Sequence, residues 1–580
     1  LKNIFPPLQW LPGYNLKTLS SDALAGIVLT AYAIPVSLAY ATLAGLPPVY
    51  GIYGYLLGGF FYAILGTGKQ LAVGPTSAIS MVIGVTLLGL AGEEEKHIVR
   101  SLEEHTVRLL ELASLTALLL AGMSVLAYFL RLDSLINFIS ENVLTGFKAG
   151  AALTIMVSQL PKLFGVLGPP INKTDFFSRC GDLVGKLDQL NVYVLIFGII
   201  AFIIIFGGEK LFPGKPIAIY VVILSILLIS LSPMGDKKFD IVGSIPASLP
   251  KFHIPKLNWA DIKNVGFLAS ACFLLAYIES VSAARTLAQK NGYEINPHQE
   301  LLALGLANLA TSFGNGYPVS GGLSQSAVND GAGAKTPMAL VFTSFFIGIC
   351  LLFLAGLLFN LPKVILASIV FVAVIKLINI KEFQRMWKVN KFDFIIAMLA
   401  GISVLAFGIL QGVMIGALAS LILIIKFVSS PHVAILGRIP GTERYTDIKR
   451  HPDNQVTPGI LLFRVESPLV YFNVNYVYSH IWPIIVKEFS TLKIVIFDLS
   501  TSAYIDSSGA RLIKKLYLNL ESKGVIFKVA EAHSEVRDIL RFEDIEHLLG
   551  HVSRRDSIHD VITNTLTEEE MREKIREESV

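Results

Sequence analysis

Along the first 428 residues apolar positions come in long blocks separated by short polar turns, too continuous for the alternation of a half-buried strand. Hydropathy predicts about 14 membrane spans, near Ala23 to Ala41, Tyr50 to Leu65, Val73 to Ala91, Leu109 to Leu130, Leu135 to Leu160, Val192 to Gly207, Ile217 to Leu231, Val265 to Ala284, Glu300 to Phe313, Val319 to Asn329, Met338 to Phe359, Val364 to Leu377, Phe392 to Phe407 and Val413 to Val428. Several are short. Beyond Val428 the pattern changes. The stretch 429–458 is polar, carries Pro431, Pro440, Pro452 and Pro458, and reads as a linker. Strand-like runs at Ile460 to Val465, Lys493 to Ser500 and Val525 to Val529 then alternate with helical stretches, which predicts a small soluble α/β domain over 459–563. A charged tail, 564–580, reads as an exposed helix or a frayed end.

Composition agrees with the pattern. Hydrophobic residues make up 53 %, charged residues 16 %, and mean hydropathy is +0.62, more apolar than a soluble core needs, so 1–428 is a polytopic transmembrane domain in the lipid bilayer of a cell membrane. The net charge of +4 is scattered and forms no stripe for nucleic acid, and Cys180, Cys272 and Cys350 have neither disulfide nor metal-ligand spacing. Leu1 to Thr18 lacks the order of a signal peptide, and a few residues are expected to precede Leu1. Loops after alternate spans carry Lys69, Arg131, Lys210, Lys215, Arg285, Lys290, Lys335 and the run Lys376 to Lys391, which places both termini and the soluble domain in the cytoplasm. Basic residues around Lys162 to Lys186 and Lys237 to Lys263 blur that signal. Glu93, Glu94 and Glu95 read as a solvated turn on the outer side.

Residues 316 to 337 break the apolar pattern most sharply. Pro318, Gly321 and Gly322 leave too little regular backbone for a full span before Gly331 and Gly333, so this stretch reads as a short half-helix inside the membrane, starting near Gly322. Such a start aims unpaired N–H groups and a positive dipole end into the bilayer interior, where Ser320, Ser324 and Ser326 add hydroxyl donors for an anion. Small residues also favour helix packing in membranes. The third span offers an echo: Val73-Gly-Pro-Thr-Ser-Ala-Ile-Ser80 matches Val319-Ser-Gly-Gly-Leu-Ser-Gln-Ser326, each about 40 residues after a span with an unusual interior group, Pro35 or Glu279. Two halves of seven spans then have opposite orientation, with an anion held between the half-helix starts near Ser77 and Leu323. Pro35 equally suits a kink in the first span. Glu279 is the acidic residue deep in an apolar span, and it must face a polar cavity, pair with a cation or take up a proton.

These residues carry a resemblance. Ala33-Ile-Pro-Val-Ser-Leu-Ala-Tyr-Ala41, Gly45-Leu-Pro-Pro-Val-Tyr-Gly-Ile-Tyr53, Val73-Gly-Pro-Thr-Ser77, Glu300-Leu-Leu-Ala-Leu-Gly-Leu-Ala-Asn308 and Gly316 to Thr336 resemble the SulP family of anion transporters, the sulfate permeases whose animal relatives include chloride and bicarbonate exchangers and prestin. The resemblance implies a 7+7 inverted-repeat fold, a core domain holding the anion between spans three and ten, a gate domain, and a homodimer. The anion-binding residues it points to are Pro35, Ser37, Tyr40, Thr76, Ser77, Ser320, Gly322, Leu323, Ser324 and Gln325, with Glu279 at the position linked to proton coupling. Two positions depart from the pattern of many relatives: Val36 stands where Gln follows the proline, and Gln325 where an Arg is common. Gln325 suits packing as well as a site.

The C-terminal Asp498-Leu-Ser-Thr-Ser-Ala-Tyr-Ile-Asp-Ser-Ser-Gly509 resembles the STAS domain of the same family and of anti-sigma-factor antagonists, in which the residue at Ser508 can be phosphorylated and a cytosolic partner engaged. Asp506 or Ser507 also suits a plain helix cap. No Gly-x-x-x-x-Gly-Lys-Ser/Thr loop is present and Gly322-Leu-Ser-Gln-Ser326 fails the hydrolase elbow, so no enzyme, catalytic residue, metal or cofactor is expected. The expected activity is secondary active transport of an inorganic anion, a sulfate:proton symport. The alternatives are sodium-coupled bicarbonate or dicarboxylate transport, an uncoupled exchanger or channel, and a sensor that positions the STAS domain.

Overall fold

The computed structural model describes residues 5–95, 102–133, 141–166, 176–212, 217–231, 239–243, 246–407, 409–550, 552–553 and 556–567. The expected start of span five at Leu135, the basic residues Lys215 and Lys237, and the tail beyond 567 lie outside them.

Each expected span meets one helix: α1 Leu16–Leu43, α2 Val49–Leu65, α3 Ser77–Glu95, α4 Leu102–Phe129, α5 Glu141–Leu163, α6 Val192–Leu211, α7 Ile217–Leu231, then α8 Trp259–Asn291, α9 Pro297–Phe313, α10 Leu323–Gly331, α11 Met338–Ile349, α12 Lys363–Ile375, α13 Lys391–Phe407 and α14 Ile409–Ser429. Among the described residues seven helical stretches are long and apolar enough to cross a membrane by length and composition alone, while α2 and α7 are shorter apolar helices. Of the two expected half-helices, α10 is short, with 9 residues, whereas α3 runs for 19 residues beyond its lead-in. Two-residue strands, β1 Val73–Gly74 and β2 Ser320–Gly321, lead into α3 and α10.

The helix ends follow ordinary capping chemistry. Asn15 caps α1 through the Thr18 amide at 3.0 Å, Asn258 caps α8 through the Ala260 amide at 3.2 Å, and Asn296 caps α9 ahead of Pro297. Gly292 ends α8 at φ 70°, a conformation that favours glycine. Packing sorts the helices into two sets. In one, α9 lies on α2 and α4, α11 on α1 and α2, and α8 on α4; in the other, α5 lies on α13 and α12, and α12 on α6. Close approach of α5 to α13 requires glycine: a Cβ at Gly146 would lie 1.8 Å from the Ala397 carbonyl oxygen.

Three expectations need correction. Glu93 to Glu95 form the last turn of α3 rather than a loop, because the helix runs one turn past its apolar stretch. The span from Met338 does not stay α-helical but passes through a π turn at Cys350–Leu354 and a 3-10 turn at Ala355–Leu358. The stretch 429–458 is no linker: β3 Val433–Arg438 pairs antiparallel with β4 Tyr445–Asp447 and with β5 Ile460–Val465. Its prolines lie outside those strands, so composition hid two short strands, the first of which buries Ala434 and Leu436.

The C-terminal unit, Leu421–Val580, forms a sheet of order β4-β3-β5-β6-β7, with β6 Ile494–Asp498 and β7 Ile526–Ala530 parallel to β5. Helices α15 Val474–Glu488, α16 Ser507–Glu521 and α17 Ser534–Phe542 complete it. Phe463 and Phe497 stack at 4.4 Å between ring centroids in its core.

Candidate functional site

The half-helix starts meet at one place. β1 and β2 pair antiparallel, Val73 with Gly321 and Gly74 with Ser320, so Gly74 faces the residue that matches it in the sequence echo. This is the pairing expected where a pseudo-two-fold axis relates two inverted halves. Immediately beyond the ladder, α3 begins at Ser77 and α10 at Leu323. The first amides of a helix have no carbonyl one turn behind them, and the N-cap of α10 is Gly322, which has no side chain to cap them. Each helix start carries roughly half an elementary positive charge.

Side chains clamp the two lead-ins together. Ser326 Oγ accepts from the Ala72 amide at 2.8 Å and donates to the Gly322 carbonyl at 2.7 Å. Gln325 Nε2 donates to the carbonyls of Ala72 at 3.0 Å and Ser320 at 3.3 Å. Asn308 on α9 holds Val319 from both sides, accepting from its amide at 2.9 Å and donating to its carbonyl at 3.1 Å. The Gly321 amide donates to Ser280 Oγ at 2.7 Å, which ties β2 to α8 one residue after Glu279. These bonds fix the lead-in backbone in an apolar setting.

Glu279 enters the same place from α8. Thr76 Oγ1 donates to its Oε2 at 3.1 Å and Ser320 Oγ to the same oxygen at 2.9 Å, while the two hydroxyls lie 3.2 Å apart. Its carboxylate has no ion pair and Oε1 no hydrogen bond among the described residues. Tyr40 on α1 is buried beside Ser77. Thr76, Ser77, Tyr40 and Ser320 are buried, whereas Leu323 is 50 % exposed and Ser324 exposed, so the α10 start opens onto free space.

The structure therefore gathers Tyr40, Thr76, Ser77, Glu279, Ser320, Gly322, Leu323 and Ser324, and sets others apart. Ser326 is not a free hydroxyl donor, since both its hydrogen-bonding roles go to backbone. Gln325 spans the lead-ins as a clamp. The Ser37 hydroxyl donates to Ile34 O at 3.0 Å within its own helix, and Pro35 lines an apolar cavity with Leu38, Ile52 and Ile219. Sequence reasoning passed over Asn308 and Ser280. Asn308 had a signal, an amide in the apolar middle of α9, but its partner 11 residues on became visible only through the fold.

Known proteins match nearly the whole chain. A profile described as the sulfate permease family matches residues 19–400, and one described as the STAS domain matches residues 451–560. The chain is 32 % identical to Probable sulfate transporter 4.2 of Arabidopsis thaliana, covering 96 % of this chain and 83 % of that one. With Sulfate transporter 4.1, chloroplastic, of the same plant, identity is 30 % over 97 % of this chain and 82 % of the relative. Among solved structures, the murine Solute Carrier 26 family member A9 anion transporter in the inward-facing state superposes with a TM-score of 0.89 at 25 % identity, covering 97 % of this chain and 94 % of that one. The transmembrane domain of a cyanobacterium bicarbonate transporter, BicA, matches with a TM-score of 0.60 at 19 % identity over 70 % of this chain and 98 % of that one.

Proposed function

The chain belongs to the sulfate permease family, as a multi-pass membrane anion transporter with a 7+7 inverted-repeat fold and a C-terminal STAS domain, and on that premise we propose that it imports sulfate together with protons by alternating access. One observation carries the coupling: Thr76 and Ser320, the hydroxyls at the two half-helix starts, both donate to the same oxygen of Glu279. An ionised Glu279 occupies the donors that an anion needs. A protonated one releases them, and its own proton becomes a donor. Anion and proton then favour each other's binding, which is reciprocal coupling through shared hydrogen bonds.

Coupling is needed on energetic grounds. A divalent anion entering against a negative-inside potential faces about 2.3 kcal/mol per charge per 100 mV, so a carrier that imports it must bring cations along. The anion is held by the amides of the α3 and α10 starts, with Ser77, Leu323 and Ser324 beside it. The STAS domain and both termini lie in the cytoplasm and the protein works as a homodimer. The STAS domain regulates assembly or rate. There Asp506 caps α16 through the Ser508 and Gly509 amides at 2.8 and 2.9 Å, and the half-buried Ser508 is the site a kinase would modify.

The test is uptake of labelled sulfate into proteoliposomes under imposed gradients. Accumulation driven by an inward proton gradient, with sodium without effect, is the expected result. Sodium-driven uptake of bicarbonate or a dicarboxylate, or flux that ignores both gradients, would replace this reading.

A further inference from the structure

The charges of this site do not close without a further group. Two helix starts contribute roughly one positive charge together, and an ionised Glu279 cancels it. Lys148, on α5, is a cation inside an apolar helix of the second packing set, and its Coulomb field acts on Glu279. Its direction follows from helix geometry. Gly146 and Gly150 face α13, a Cβ at each falling 1.8 and 2.5 Å from the carbonyl oxygens of Ala397 and Gly401. Lys148 is two residues from both and projects to the other side of α5. Its stripe continues through Ala151, Ala152 and Ile155, all 0 % exposed, so the lysine lies on an interior face rather than a lipid-facing one. α5 also packs on α3, the half-helix that begins at Ser77. Lys148 is half-buried and has no ion pair or hydrogen bond among the described residues. A lysine held in an interior face without a partner needs an anion.

We infer that Lys148 is a specificity-determining residue of the anion site, supplying from α5 the full positive charge that favours divalent over monovalent substrates. This rests on the anion lying between the starts of α3 and α10. Because the attraction scales with the charge of the anion, loss of Lys148 weakens a divalent anion by the square of the factor it costs a monovalent one. A factor of about 5 for chloride corresponds to about 25 for sulfate.

The experiment measures equilibrium binding of sulfate and chloride to the purified full chain in nanodiscs, with Lys148→Met, Lys148→Arg, Glu279→Gln and the double variant Lys148→Met/Glu279→Gln. Lys148→Met should lose sulfate affinity about 25-fold and chloride about 5-fold, and Lys148→Arg should restore sulfate binding. The double variant should recover much of the loss, since the carboxylate no longer opposes the anion. A lysine with a merely structural role would move both anions equally and would not be rescued by Glu279→Gln. Unchanged sulfate binding by Lys148→Met overturns the inference. If Gly322→Trp abolishes sulfate binding in the same assay, the site itself stands and only the role of Lys148 falls; if both variants bind normally, the site is elsewhere. Should Lys148→Met fail to fold, Lys148→Arg and the double variant decide, because failure of both to bind sulfate contradicts the charge argument.

Discussion

Glu279 and Glu300 both belong to the membrane domain, and their surroundings differ. Glu300, 0 % exposed at the start of α9, accepts four hydrogen bonds: from the Thr67 amide at 2.7 Å, the Thr67 hydroxyl at 2.5 Å, the Gly68 amide at 3.2 Å and the Tyr62 hydroxyl at 2.9 Å. Both of its oxygens are used, and they tie the loop after α2 to α9. Glu279 accepts two, both on Oε2, from hydroxyls that can turn elsewhere. A carboxylate held by backbone amides is part of the scaffold, because its donors have nowhere else to go. One held by rotatable hydroxyls beside two open helix starts can exchange its partners for a ligand.

The largest effect should come from breaking the scaffold member. Glu300→Ala strands the Thr67 amide and leaves the buried Tyr62 hydroxyl without its acceptor, at about 3–5 kcal/mol, so monodisperse yield and melting temperature should collapse. Glu279→Ala should leave both near wild type. Equal losses would erase the distinction. Next in size is Gly322→Val: its Cβ would stand 3.1 Å from Thr76 Cγ2 and 3.0 Å from Gln325 Nε2, crowding the α10 start. Sulfate affinity, read by isothermal titration, should fall at least about tenfold, about 1.4 kcal/mol, with a smaller drop in melting temperature than Glu300→Ala gives. Smaller still, Ser320→Ala removes one donor shared by Glu279 and the anion. It should cost about 1 kcal/mol in sulfate binding, roughly fivefold.

A third carboxylate, outside the membrane, gives the smallest effect and a reference for pH. Burial pushes Asp447 up, but His432 Nε2 at 2.9 Å, the Lys449 amide at 2.8 Å and the nearby Arg450 charge outweigh it and hold the carboxyl below its ordinary range. A carboxyl lowered on folding adds stability above its unfolded pKa of about 3.9, and that stability is lost as pH falls through the lower folded value. With the His432 side chain 45 % exposed, Asp447→Asn should cost under about 1 kcal/mol at neutral pH. Hydrogen exchange at β4 across an acid titration should show a shallower loss of protection in the variant.

Much of this was written in residue patterns that local physics can read. The half-helices follow from Pro318, Gly321 and Gly322 interrupting a span, the repeat from the match of Val73 to Ser80 with Val319 to Ser326, and Glu279 from its isolation among apolar neighbours. Partners distant in sequence were not legible. Ser326 looks like a free hydroxyl until Ala72, 254 positions away, is placed against it. Glu300 sits at a span boundary, where an acid is unremarkable beside a helix N-terminus, and only the loop at Thr67 shows its role. Lys148 was absorbed into a hydrophobic window, since averaging over a span dilutes one charge. The strands at 433–438 and 445–447 were hidden because proline-rich flanks dominated the composition.

The central claim is that Glu279 carries the proton, and the paired measurement of pH-driven sulfate uptake and sulfate counterflow in liposomes tests it most directly. Glu279→Gln is close in shape and permanently uncharged, so it should still bind and exchange sulfate across the membrane while losing accumulation driven by a pH gradient. A Gln variant that retains pH-driven accumulation would contradict the account.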